Sequence, residues 1–398
     1  MEQFERQCNF DWSKTQNLQG IARYCFVWFG IWLAPLLLRA QVLTSDRSVN
    51  WSVAGYQGCI PNPSTFKKIT DFGGVGNGST VNNTALTNAI SSLGGAAGIV
   101  YFPAGNYLFT TTINLPANVV LRGESSSLTT LTFNLGGATN SLLQATAAAG
   151  SAFVSITSGY TKGSNSLVVS NASSFSVGDY AEIRQVNGSW DTNPAVWAAY
   201  SVGQIVKITG KAGNTLTLAS PLRIDYSVSL SPEISKINPV RNVGIESLKL
   251  YRSDTPSAGG GYNIYFSYAA NCWVKDVESE RSNGSHIALE ACTNIEITGC
   301  YIHHGIVYDG SGTRGYGITF FHHTSECLAE NNIMRYLRHA FSVKQGANGN
   351  VIAYNYSREV NRSEAFSEYA GDLSLHGHYA FANLFEGNIC QNLFIDDA

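Results

Sequence analysis

The stretch NCWVKDVESERSNGSHIALEACTNIEITGC, Asn271 to Cys300, contains its own repeat. Asn271-Cys-Trp-Val274 returns as Asn294-Ile-Glu-Ile297, and between them runs a second apolar segment, His286-Ile-Ala-Leu289. Working outward, the first motif aligns with Asn242-Val-Gly-Ile245 upstream. Downstream it aligns with Glu326-Cys-Leu-Ala329, Asn350-Val-Ile-Ala353 and Asn383-Leu-Phe-Glu386, giving spacings of 29, 23, 32, 24 and 33 residues. The second segment aligns with Asn263-Ile-Tyr-Phe266, Gly317-Ile-Thr-Phe320, Ala340-Phe-Ser-Val343 and Asp372-Leu-Ser-Leu375. Self-similarity at periods of about 20–50 residues marks a solenoid. Two short strands per period with uneven turns predict an all-β parallel β-helix.

Strand alternation then places side chains. Ile287, Ile318, Phe341 and Leu373 point inward, as do Leu289, Phe320, Val343 and Leu375. The alternate residues are expected outside, in columns whose members lie about 4.8 Å apart. One column is Asn263, His286, Gly317, Ala340 and Asp372; the next is Tyr265, Ala288, Thr319, Ser342 and Ser374. The third is Ser267, Glu290, Phe321, Lys344 and His376. Cys272 and Cys327 fall in inward register, as stacked core thiols first and as a disulfide second. The recurring Asn of the first motif should stack at a turn.

Upstream, Asp71 to Ser125 reads DFGGVGNGS…NNTALTNAI…GIVYFPAGNYLF…INLPANVVLRGES. A short strand, a Gly-rich turn, a short helix and two strands follow in that order. This segment resembles the entry of the pectate-lyase-like right-handed parallel β-helices, in the branch of rhamnogalacturonases and epimerase-like proteins. The resemblance implies that the turn and helix close the open end of the solenoid. That family carries Asp-Gly-x-x-Asp-Asp-Thr where this chain has Asn77-Gly78-Ser79-Thr80 and Asn82-Asn83-Thr84; Asn is able to take over the capping and turn roles of Asp. The Gly-rich turn is no nucleotide loop, since no Lys-Ser/Thr follows it.

The chain is expected to divide into a signal peptide (1–40), an extension (41–66), a cap with the first coils (67–150), a small antiparallel β insertion (151–235) and the main coils (236–398). Cys25 to Leu38 is a charge-free apolar run, short for a membrane span of about 20 residues and preceded by Arg23. It reads as a secretory leader, so the mature protein is expected outside the cell, with no stable membrane insertion. The last coil opens at Phe385 with no capping segment after it, so the native chain is expected to run on. In the insertion, Trp190, Trp197 and Tyr200 could stack on sugar rings or simply pack a small sheet.

Of 398 residues only 13% are charged, 39 are Gly, and the net charge is −3. Nucleic-acid binding lacks its basic footprint, and 44% hydrophobic content excludes disorder. Stacked coils explain the shortage, because rows of like charge in register repel.

Against that background, all eight His lie between residues 286 and 378, and His serves as acid, base or ligand near neutral pH. A groove along a solenoid suits a polymer, and the resemblance implies a polysaccharide, here an acidic one bound by a monomer. A lyase acting on a uronic acid needs a cation for the carboxylate, a base for the C5 proton and an acid for the leaving oxygen. Arg338 or Lys344 suits the first role, Lys344 or His376 the second, and His378 or a tyrosine the third. Glu290, His286, Asp372, His339 and Phe321 are expected to line the binding face. His303, His304, His322 and His323 fall in turns. Hydrolysis needs two carboxyl groups at fixed separation. None of the Asn-Thr-Asp, Asp-Asp and Gly-His-Gly elements of hydrolases in the resembled family is present in that form; Leu375-His376-Gly377-His378 only echoes the last, and Asp396-Asp397 could continue the site into the next coil. A polysaccharide lyase is therefore expected. A hydrolase or C5-epimerase of the same fold, or a non-catalytic tailspike-like or adhesin-like glycan binder, remains the alternative. No cofactor is required; calcium could be held by Glu290 and Asp372 through oxygen ligands, although no calcium loop motif is present.

Overall fold

Each coil of the solenoid turns three corners, and the backbone at one of them explains the shape. Between the first and second strand of a coil the chain has room for only two residues, the first of them left-handed: Ser247, Asp276, Gly299, Asn331, Tyr354 and Gly387, with φ from 51° to 67°. The second is turned inward: Leu248, Val277, Cys300, Asn332 and Asn355 are all buried. A computed structural model describes residues 44, 47–150, 152–309, 312–363 and 371–396. The chain falls into two units, Met1–Ser48 and Val49–Ala398, and the solenoid lies in the second.

Three parallel sheets result, making a right-handed parallel β-helix. Sheet A has nine strands, from Phe66–Lys68 to Leu384–Glu386; sheets B and C have eight each. The sequence shows two strands per coil, whereas the structure has three. Sheet B strands such as Glu278–Ser282, Tyr301–Gly305 and Ile333–Arg335 follow sheet A so closely that the pattern reads as one strand with a tail. His303 therefore lies on a sheet B strand and is buried, not in a turn.

Register in sheet C is as expected: Ile264, Ile287, Ile318, Phe341 and Leu373 share one rung position. In sheet A the expected alignment slips by one residue after Ala329. Leu328 pairs with Val351, which puts Asn350 and Asn383 in the inward column of Val243, Cys272, Ile295 and Cys327. A one-residue slip exchanges the faces of a strand. The stacked asparagines are thus inside. Asn383 Oδ1 accepts from the backbone N–H and Nδ2 of Asn350 at 3.1 and 2.9 Å, and Asn350 Oδ1 accepts from the Cys327 N–H at 2.9 Å. A second ladder runs Asn332, Asn355, Asn388.

Cys272, Cys292, Cys300 and Cys327 are free, buried thiols within the core. Burial pushes Cys272 and Cys300 up to about 12, so they remain protonated and inert. Cys59 is disulfide-bonded.

The helix Asn83–Ser91 turns Ala85, Leu86 and Ala89 into the first coils and closes them. Asn77 plays the turn role, its Oδ1 accepting from Ser79 and Thr80 N–H. Asn82 does not cap the helix with its side chain; its amide pins the Gly-rich turn through both polar groups of Val75. Residues 51–62 run along the outer face of sheet A. Trp51 Nε1 donates to Ala382 O (2.8 Å), Gly55 N to Glu326 O (2.8 Å), and Arg122 Nη1 to Asn62 Oδ1 (3.0 Å).

Between the sheet C strand Leu143–Thr146 and the sheet A strand Gly244–Glu246 the chain forms a closed six-stranded antiparallel barrel, Phe153–Ser158 through Glu233–Ile237. It has its own core of Leu167, Val169, Ile183, Val206, Ile208, Leu216 and Ile234. The barrel docks on the turns leading from sheet C to sheet A. Arg223 pairs with Glu326 and donates to Asn348 Oδ1, and the Ile205 N–H donates to Ser325 Oγ.

Among the described residues no helix is long and apolar enough to cross a membrane. The apolar run Cys25 to Leu38 lies outside them.

Candidate functional site

The outer face of sheet C has a floor of small side chains, because Ala288, Thr319, Ser342 and Ser374 occupy one column on adjacent rungs. All four are buried, and the Ser342 and Ser374 hydroxyls meet no hydrogen-bond partner. A buried hydroxyl without a partner is unfavourable by about 1–3 kcal/mol.

Larger side chains edge this floor on two sides. On one, Arg338 Nη1 donates to the Tyr316 hydroxyl at 3.1 Å, and the Tyr316 ring meets His339 edge-on at 4.6 Å between centroids. His339 is buried, and its Nδ1 lies 2.8 Å from Gly371 O. A carbonyl oxygen only accepts, so Nδ1 carries a proton. On the other side stand Lys344 and His376, in the column of Phe321 and Glu290. The Lys344 ammonium lies 5.8 Å from the centre of the Phe321 ring. The rings of His339 and His376 are 6.3 Å apart between centroids. Arg338, His339, Lys344 and His376 are therefore brought together.

The other predicted residues are sorted differently. Glu290 is on this face and accepts from the Tyr265 hydroxyl and from Ser267 Oγ at 3.3 Å. Burial and that carboxylate raise Tyr265 well above the usual phenol range. His378 lies beyond His376 in the following turn, buried against the edge of Trp197 and 3.9 Å from Asp191. It lines a pocket of about 270 Å³ with Trp190, Asp191, Tyr379 and Leu375. The Trp190 and Tyr379 rings are 4.7 Å apart.

His286 and Asp372 are not on the groove. Their column turns into the solenoid at the corner between sheets B and C, and both are buried. His286 Nδ1 bonds the buried Ser279 hydroxyl at 2.8 Å, and burial pushes its imidazole down to about 3. Asp372 accepts from Ser357 Oγ at 2.8 Å and from the Gln391 N–H, and burial raises its carboxyl. Glu290 outside and Asp372 inside do not converge, so they form no calcium site.

Sequence reasoning missed a second concentration of charge, on sheet B. Lys249 binds Glu278 and Glu280 at 2.7 and 2.6 Å, and Glu278 meets His303 Nε2 at 3.2 Å. Arg335 pairs with Glu359. The charge alternation on these strands was visible; their being strands was not.

Residues 66–221 match the family model described as rhamnogalacturonase A/epimerase, pectate lyase-like. No curated protein sequence matches the chain. Among solved structures, the tailspike protein gp49 from Pseudomonas phage LKA1 superposes with a TM-score of 0.60 at 17% identity, over 83% of this chain and 59% of that one. The tailspike gp61 of Pseudomonas phage phi297 gives 0.49 at 14% identity, over 81% and 70%. The A-module of the Azotobacter vinelandii mannuronan C-5 epimerase AlgE6 gives 0.46 at 15% identity, over 80% and 62%. At these identities the likeness is one of fold. The gp49 likeness and the three parallel sheets make the chain a parallel β-helix protein, of which residues 66–221 resemble the pectate-lyase-like family model.

Proposed function

We propose that this is a secreted carbohydrate-active protein that cleaves a uronic-acid polysaccharide by β-elimination in the sheet C groove. One observation carries the reading: two cations and two imidazoles surround a floor of unsatisfied hydroxyls on the rigid face of a solenoid. Arg338 and Lys344 hold the uronate carboxylate, which acidifies the C5 hydrogen. His376 removes that proton, the C4–oxygen bond breaks as the C4–C5 double bond forms, and His339, as an imidazolium that keeps its Nδ1–H on Gly371 O, gives its Nε2 proton to the leaving oxygen. Such proton transfers contribute about 10²–10⁴-fold each. Ser342 and Ser374 bind sugar hydroxyls. The family-model match supports a carbohydrate substrate. His378, packed beneath Trp197, serves the adjoining aromatic pocket rather than the proton transfers.

The test is a panel of pectate, rhamnogalacturonan, alginate and hyaluronan followed for an ultraviolet-absorbing unsaturated product. The proposal expects that product from at least one polymer. Reducing ends without ultraviolet absorbance would establish hydrolysis instead, and retention of a polymer without cleavage would establish a binder.

A further inference from the structure

Where the barrel meets the solenoid, three potential ligands converge that the groove does not use. Glu182 lies on the barrel strand Tyr180–Gln185 and is turned toward the solenoid, where the Tyr268 hydroxyl donates to its Oε2 at 3.3 Å. His322 and His323 begin the turn after the sheet C strand Tyr316–Phe321. His323 Nδ1 lies 2.8 Å, and His322 Nε2 3.3 Å, from the same Glu182 Oε1. Glu182 and His323 are buried, whereas the His322 side chain is one-third exposed.

The ring orientation fixes which His323 nitrogen faces Glu182. His323 Nε2 is 2.6 Å from the carbonyl oxygen of Tyr200, so Nε2 must be protonated. Nδ1 then faces the Glu182 carboxylate oxygen at 2.8 Å, a contact that a positive charge between the two atoms makes favourable, whether a proton on Nδ1 or a metal ion. An Nε2–H held by a backbone carbonyl is also how metal-binding histidines are commonly oriented. Ligand atoms on a tetrahedral ion with bonds of about 2.0–2.1 Å stand about 3.4 Å apart; the His322–Glu182 spacing of 3.3 Å matches this, and the His323–Glu182 spacing of 2.8 Å is shorter. Glu290 adds negative charge near His322, against Arg184.

We propose that Glu182, His322 and His323 bind a zinc-class divalent ion, with the fourth position on the partly exposed His322 side. Two imidazole nitrogens and one carboxylate suit zinc or its transition-metal neighbours, and the set is unsuited to calcium, which takes six to eight oxygens. The ion fastens the barrel to the solenoid. Through Tyr200, and through Gln345 Nε2 donating to Trp197 O at 3.0 Å, it also fixes the barrel loop beside the groove. The site is independent of the proposed lyase chemistry.

The test uses the full chain, stripped with chelator and titrated with zinc, with calcium as control and cobalt as a spectroscopic probe. One zinc per chain is expected, with a rise in Tm and a tetrahedral cobalt spectrum. His322→Gln, at the exposed corner, should fold and weaken zinc at least about tenfold. His303→Asn, in the sheet B cluster whose carboxylates Lys249 already engages, should leave zinc binding unchanged. A folded wild-type chain that takes up no zinc overturns the proposal and makes the cluster a protonated ion pair. Undiminished zinc affinity in His322→Gln overturns it as well.

Discussion

His286 and Ser342 show how much one position along a strand decides. Both were expected outside by alternation. Ser342 is on the outer face, but His286 sits where the chain turns the corner from sheet B, and there the side chain swings inside. Its lowered imidazole has a pH consequence. Between about 6.5 and 3 the unfolded chain binds the proton and the native chain does not, so stability falls as pH drops through that window, by up to about 1.4 kcal/mol per unit for this group. Denaturant unfolding at pH 7.5 and pH 5 should show a larger loss in the wild type than in His286→Gln. Equal losses would show that His286 is not the buried neutral base described. The serine floor behaves in the opposite sense. Ser342→Ala removes a buried hydroxyl that has no protein partner, so Tm should hold or rise while polysaccharide affinity falls. A clear loss of stability would mean that the hydroxyl serves the fold.

At the scale of elements, the repeat was legible because inward Ile, Leu and Phe recur with strand alternation, and sheet C came out in register. Sheet B was hidden by the two-residue corner, which leaves no turn signature between strands. The sheet A slip after Ala329 has a related origin. The inward column changes from Val243, Cys272, Ile295 and Cys327 to Asn350 and Asn383, and a buried asparagine reads as a turn residue. Its burial is possible only because the ladder satisfies it. Asn355 accepts from Asn332 and donates to Ala329 O and Asn388 Oδ1. Asn355→Ala leaves several of these groups buried and unpaired, and should lower stability by about 2–5 kcal/mol in chemical denaturation.

For the molecule as a whole, the groove residues were largely legible: Arg338, Lys344, His376 and His339 were singled out and are together. The barrel contacts were not, since Glu182 is far in sequence from His322 and His323 and only docking joins them. The same docking rests on the buried Arg223–Glu326 pair. Arg223→Ala strands a buried carboxylate, an effect of about 3–5 kcal/mol, and should open the barrel seam to limited proteolysis before the solenoid. Simultaneous digestion of both would mean that the pair does not hold the seam.

The central claim is that the acidic polymer is cleaved on sheet C and not on the charged face of sheet B. It is tested most directly by the initial rate of ultraviolet-absorbing product release on the best polyuronate, for the wild type, Lys344→Ala, His376→Ala and the sheet B variant Arg335→Ala. The account predicts a loss of about 10²-fold or more for each of the first two variants and an unchanged rate for Arg335→Ala. Full activity in Lys344→Ala and His376→Ala, or a loss confined to Arg335→Ala, would contradict it.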